Sequence, residues 1–231
     1  MKLKLVLAAI LCLLFSVAAF GGTLTLVTSS AALAPTDSVD WGTLGAPFSF
    51  VPNGTTVTSA QGFDMTISST GQMRLFIQNS PSPWNGFFLN GERLLHPYNT
   101  LTIVFSAPVH GVGSNIHHDW VNLTATHTLE AFDSDGVSMG SVTLQSLMAS
   151  TTPRGQGTAP FFGVRSSSPD IASITLSSFA PVPPPDTSGN STKFAINSLQ
   201  IVTVPEPSAA ALVSAGGFLI ACVAARRRRR T

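Results

Sequence analysis

Alternation of apolar and polar positions, rather than helical periodicity, organises the middle of this chain. Residues 123–132 show it best. Leu123, Ala125, His127, Leu129 and Ala131 fall on one face of an extended strand, and Thr124, Thr126, Thr128, Glu130 and Phe132 on the other, because successive side chains of a strand point to opposite faces. Asp133-Ser134-Asp135-Gly136 interrupts the pattern, which resumes over 137–144. Asp-Gly between two such runs predicts a hairpin, since glycine accepts the positive φ that the turn demands. The same reading predicts strands at 23–28, 63–68, 73–78, 101–105, 109–116, 161–164, 171–176 and 194–202. A turn centred on Thr70-Gly71 joins the second and third of these, and Gly111 and Gly113 weaken the fifth. The Pro/Ser/Gly-rich stretch 181–192 reads as a surface loop, because a good strand follows it. About nine or ten short strands with turns between them predict an all-β sandwich.

The pattern changes at both ends. Met1-Lys2-Leu3-Lys4 is basic, residues 5–15 are apolar, and Ser16-Val17-Ala18-Ala19 offers small residues for signal peptidase. A signal peptide over 1–19 and export through the Sec translocon are therefore expected. Cys12 follows Leu11, where a lipoprotein signal requires a small residue, so lipidation is not expected. At the other end, Val204-Pro205-Glu206-Pro207 precedes an uncharged run, 209–225, and then Arg226, Arg227, Arg228, Arg229 and Arg230. Those 17 residues reach roughly 26 Å as a helix, slightly short of a bilayer's hydrocarbon core. Arginines that snorkel cover the shortfall and hold the C-terminus in the cytoplasm. Pro205 and Pro207 keep the preceding segment out of the helix.

Tripeptide, short transmembrane helix and arginine cluster in this order resemble the PEP-CTERM sorting signal of Gram-negative bacteria. The resemblance implies three regions: a signal peptide over 1–19, an ectodomain over 20–203 and a sorting signal over 204–231. It implies processing by an exosortase, an inner-membrane precursor, and delivery to the cell surface or into exopolysaccharide. The other reading of the same residues is an anchor that is never cut. The second half of the body carries Ala107-Pro108-Val109-His110-Gly111-Val112-Gly113, Leu129-Glu130-Ala131-Phe132-Asp133-Ser134-Asp135-Gly136, Phe161-Phe162-Gly163-Val164 and Phe194-Ala195-Ile196-Asn197-Ser198-Leu199. This series, over about 100–202, resembles a common ectodomain of PEP-CTERM proteins. That resemblance implies a jelly-roll sandwich akin to galactose-binding-like or lectin-like modules, whose members often have aspartate where Asn197 stands.

Composition narrows the function of the body. The chain's net charge of +1 rests on Lys2, Lys4 and the arginine tail. Between them remain Arg74, Arg93, Arg154, Arg165 and Lys193 against ten acids, a balance of about −5. Nucleic-acid binding is disfavoured, since phosphates require a basic face. Both cysteines, Cys12 and Cys222, belong to the terminal apolar segments. The body therefore has no disulfide and no thiol chemistry, and must be held together by its core.

Candidate chemistry is sparse. All five histidines lie between His96 and His127, and His117-His118-Asp119-Trp120 is the densest group. A divalent-metal site from His110, His117 or His118, and Asp119 is one reading; a polar loop between strands is the favoured one, because adjacent strand residues diverge. Asp133 and Asp135 resemble the start of a calcium loop, but Val137 and Leu144 stand where an EF-hand needs oxygen ligands. The hairpin explains them without metal and is the favoured reading, with a shallower calcium site using Asp133, Asp135 and backbone carbonyls as the alternative; no cofactor is expected. Gly111-Val112-Gly113 lacks the third glycine of a dinucleotide fingerprint, and no nucleophile elbow or Ser-x-x-Lys pair is present. Trp41, Trp84, Trp120 and Tyr98 are candidates for a sugar platform or for core anchors. Trp84, within Pro81-Ser82-Pro83-Trp84-Asn85-Gly86, is expected on an exposed loop and is the preferred glycan contact. The expected function is a non-catalytic structural or carbohydrate-binding role at the cell surface; the alternative is a secreted glycan hydrolase or lyase.

Overall fold

The computed structural model describes residues 22–78, 83–84, 87–118, 123–147, 156–181 and 193–203. The expected signal peptide, Pro205, Glu206, Pro207, the apolar run 209–225 and the arginine cluster lie outside them, as do Asp119, Trp120 and loop residues 182–192. Among the described residues no helix is long and apolar enough to cross a membrane.

The chain begins with β1 (Leu24–Val27), a single helical turn α1 (Ser30–Leu33), β2 (Asp37–Val39) and a 3-10 turn at Trp41–Leu44. It continues through β3 (Phe50–Val51), β4 (Thr55–Thr58), β5 (Asp64–Ser69), β6 (Met73–Gln78), β7 (Pro83–Trp84) and β8 (Arg93–Pro97). Then come β9 (Thr100–Val109), β10 (Gly111–His118), β11 (Thr124–Phe132), β12 (Ser138–Leu147), β13 (Phe161–Ser166), β14 (Ile171–Phe179), β15 (Phe194–Ile196) and β16 (Leu199–Val202). Two sheets result. The larger runs β1-β13-β10-β15-β8-β6-β3, with β16 beside β10, β2 beside β16 and β7 beside β6; the smaller runs β12-β11-β14-β9-β5-β4. Pairing is antiparallel except for the two-residue contact of β6 with β7.

All ten expected strands are present, so the all-β sandwich stands, but among the described residues there are sixteen. β2, β3, β4 and β7 are too short, at two to four residues, to show an alternation. β8 reads Arg-Leu-Leu-His-Pro and hides its period because four of its five residues are buried, on both faces. The run 194–202 is two strands rather than one.

The main core lies between the sheets. Met65, Ile67, Leu101, Ile103, Leu129, Ala131, Ile174 and Leu176 of the smaller sheet meet Leu75, Leu95, Val112, Ile116, Phe162 and Ile201 of the larger. The opposite face of the smaller sheet carries Thr66, Thr102, Thr126, Thr128, Thr143 and Thr175, all half-buried or exposed. The threonine-rich composition is thus the solvent side of one sheet, where β-branched residues also favour the extended backbone. The hairpin forms as expected: Gly136 has φ 75°, and Asp133 Oδ1 accepts from the amides of Asp135 and Val137, each at 2.9 Å.

The strand expected at 109–116 is not weak but central. Gly113 of β10 sits opposite Gly163 of β13. A Cβ on Gly113 would lie 2.6 Å from the Phe161 ring, and one on Gly163 would lie 2.7 Å from the Val112 carbonyl. The glycines give up side chains so that Phe161 can cover the strand pair.

β15 and β16 are separated by Asn197, which is 7% exposed and replaces ladder bonds with its own side chain. Its Oδ1 accepts from the Asn115 amide at 2.9 Å and from Ser114 Oγ at 3.0 Å. Its Nδ2 donates to Glu92 Oε1 at 2.9 Å, and its carbonyl accepts the Trp41 indole N–H at 2.6 Å. Asn197→Asp removes the donor and sets a carboxylate against Glu92. Denaturant titration should show a loss of about 2–4 kcal/mol at pH 7 relative to the parent. The deficit should shrink at pH 4.5, where one carboxyl of the pair takes up a proton. An unchanged midpoint at pH 7 would remove Asn197 from its role in the kink.

Candidate functional site

The outer face of the larger sheet gathers an aromatic cluster that includes Phe50, Phe76 and Trp84. On β6, Met73 and Leu75 point into the main core, so Arg74 and Phe76 point outward. On β8, Leu95 is core-facing and His96 points outward. Register places Phe50 opposite Arg74 and Arg74 opposite His96, forming one row across β3, β6 and β8.

Half of this face is covered. Trp84, Phe87 and Phe88 fold back over it and pack on Leu94, Ala159 and Ala195, with Phe76 alongside. The Trp84 ring meets Phe76 at 5.8 Å and His96 at 4.9 Å, both edge-on. Trp84 is only 4% exposed. The exposed loop expected for Trp84 is therefore corrected, and with it the use of this ring as a surface glycan contact. Its proline, asparagine and glycine neighbours mark chain reversal, which says nothing about which way the ring points. Trp41 is also a core anchor, fully buried, in a turn whose Gly42 amide donates to Asp40 Oδ1.

The uncovered half presents Phe48 at 50% exposure and Phe50 at 56%. Phe48 contacts Phe76 edge-on at 5.4 Å. Its φ is 69°, a left-handed value that is costly for a bulky residue, and such strain concentrates at functional sites. The Arg74 guanidinium lies 4.1 Å above the Phe50 ring. Arg74 Nε is buried with no hydrogen-bond partner. At the far end of the row His96 stacks on Tyr98 at 4.8 Å and 8°, and Lys193 Nζ sits 5.0 Å over the Tyr98 ring. Burial lowers the His96 pKa to about 4; hydrogen bonds to the backbone of Pro97 and Phe194 oppose this, while Lys193 and Arg74 reinforce it. His96 is thus neutral near pH 7, and Arg74 and Lys193 carry the charge of this face. Of the aromatic residues singled out from sequence, Tyr98 belongs to the site. Phe48, Phe50, Arg74 and Lys193 were missed. The signal for the two phenylalanines was present as Pro47-Phe48-Ser49-Phe50-Val51-Pro52, aromatics at alternate positions between two prolines.

The histidines do not form a polar loop. His117 and His118 end β10 and are 1% and 0% exposed, on opposite faces. His117 packs edge-on to Phe87 at 4.7 Å, whereas His118 faces the sandwich interior with His127. Among the described residues no group of three His, Cys, Asp or Glu is arranged to hold a metal. The Asp133 carboxylate is engaged by the hairpin amides.

Two depressions lie elsewhere. One, of about 350 Å³, is lined by Asp37, Ser38, Gln61 and Gln200 among others; the second, of about 380 Å³, lies between β1 and Arg165. Asp37 is fully used, accepting from the amides of Ser38 and Gln61 and from the Ser59 hydroxyl. What the outer face offers chemically is flat apolar ring surface flanked by two cations.

No family model matches the sequence, and no curated protein matches it. Among solved structures, the chain is similar to a DUF4465 family protein from Bacteroides caccae, at 9% identity and TM-score 0.41, over 77% of this chain and 99% of that one. It is also similar to the CBM22-1 xylan-binding domain of Paenibacillus barcinonensis Xyn10C, at 9% identity and TM-score 0.30, over 70% of this chain and 99% of that one. At such distances these likenesses assign no ligand to this chain.

Proposed function

We propose that the mature protein is a non-catalytic glycan-binding component of the cell surface or exopolysaccharide matrix, exported by its signal peptide and sorted by an exosortase. The observation that carries the binding role is the pair Phe48 and Phe50, both about half exposed on a sheet that buries most of its other aromatic rings. Exposed apolar patches of this kind mark interaction sites, and flat rings suit the apolar faces of sugars. The sorting half rests on Pro205-Glu206-Pro207, the apolar run and the five arginines. The reading includes jelly-roll winding for the sandwich. The chain's repeated passage between sheets, from β9 to β10 to β11 and from β12 to β13 to β14 to β15, supports it.

The test uses the full-length gene in a host that has an exosortase. Surface protein should lack residues 209–231 by intact mass, and Phe48→Ala/Phe50→Ala should release it from the host polysaccharide without lowering its melting temperature. Retention unchanged in the double variant would refute the binding site. A tail still present on surface protein would refute the sorting route.

A further inference from the structure

We infer that the two cation–ring pairs of this row, Arg74 with Phe50 and Lys193 with Tyr98, bind an anionic glycan, a chain of sugars bearing carboxylates, rather than a neutral one. This deepens the glycan-binding reading and rests on it.

Basic residues are scarce in this chain outside its ends. The body between the two terminal segments has only five basic residues, and two of them, Arg74 and Lys193, converge on this one row. Both lean on aromatic faces, Arg74 over Phe50 and Lys193 over Tyr98. Among the described residues neither cation is hydrogen-bonded to a carboxylate. Among the described residues, Asp64, Glu130, Asp133 and Asp135 belong to the smaller sheet and its hairpin, while Glu92 is occupied by the Leu89 amide and Asn197. On a body of net negative charge, two cations gathered on one row are a specific feature.

Geometry matches an extended polymer. Phe50, Arg74 and His96 occupy successive strands about 4.8 Å apart, and Tyr98 lies about 7 Å from His96 along the chain, just past the end of β8. His96 is buried, so the open surface is Phe50 with Arg74 at one end and Tyr98 with Lys193 at the other, spaced for a short run of sugars. A guanidinium that rests over a ring can still grip a carboxylate in bidentate fashion through its terminal N–H groups.

The experiment measures binding of the full-length protein to polygalacturonate and to the same polymer with its carboxyls reduced to alcohols. Variants are Arg74→Gln, Lys193→Gln and Phe50→Ala, each checked for an unchanged melting temperature. The inference predicts that reduction of the polymer, or Arg74→Gln, weakens binding about tenfold or more, and that added salt weakens it further. Equal binding of both polymers, lost in Phe50→Ala, would overturn the anionic preference while leaving glycan binding intact. Binding of the acidic polymer that is indifferent to Arg74→Gln and Lys193→Gln would also overturn it, since the charge would then be read elsewhere. Binding of neither polymer overturns it too, and the Phe48→Ala/Phe50→Ala assay on the host polysaccharide then decides the broader reading by itself.

Discussion

Between pH 6.5 and pH 4 the domain should lose about 6 kcal/mol of stability, enough to bring many domains of this size to unfolding. The loss comes from His96 and His127, which burial holds at a pKa of about 4 each, assisted at His127 by the charge of His118. Above pH 7 both rings are neutral whether the chain is folded or not, and no penalty exists. As pH falls through about 6.5 the unfolded chain takes up protons that the native state refuses, so stability falls. Below about 4 the native state protonates as well and the decline stops. Each group contributes about 3 kcal/mol, from a shift of about two and a half pKa units. His127 has structural reason to resist protonation: it is fully buried, its Nε2 bonds Ser146 Oγ at 2.9 Å, and its Nδ1 has no partner. Urea midpoints measured from pH 7.5 to 3.5 should trace this slope, and His96→Leu/His127→Leu should flatten it. A midpoint that does not move between pH 7 and pH 4.5 would show that both rings are solvated.

Trp41→Ala should cost about 3–5 kcal/mol, as truncation of a fully buried indole does, and Trp84→Ala should cost a similar amount. Replacement by phenylalanine separates the two sites. Trp41 donates to the Asn197 carbonyl at 2.6 Å, so Trp41→Phe loses a buried hydrogen bond as well as volume. Trp84 Nε1 is buried without a partner, so Trp84→Phe removes an unsatisfied donor and should be nearly neutral. Thermal and urea unfolding of the four variants checks this. Trp84→Ala with an unchanged melting temperature would return that ring to the surface.

Much of the sandwich was legible in one dimension because the smaller sheet has one wet face. Its strands β5, β11 and β14 alternate in burial, and residues 123–132 announce both faces and the following hairpin. The larger sheet was harder to read, since a segment folded over its outer face buries both sides of β8 and β10 and erases the period.

The sequence by itself determined the strand-forming stretches, the Asp133–Gly136 turn, the absence of cysteine from the body and its acidic balance. Only the tertiary structure decided which aromatics are available. Trp84 looked exposed and is covered, whereas Phe48 and Phe50 drew no notice in the sequence and stand half in solvent. The reason is physical: burial of a ring depends on what later segments pack over it, and cross-strand partners such as Phe50, Arg74 and His96 are brought together by register, not by spacing along the chain.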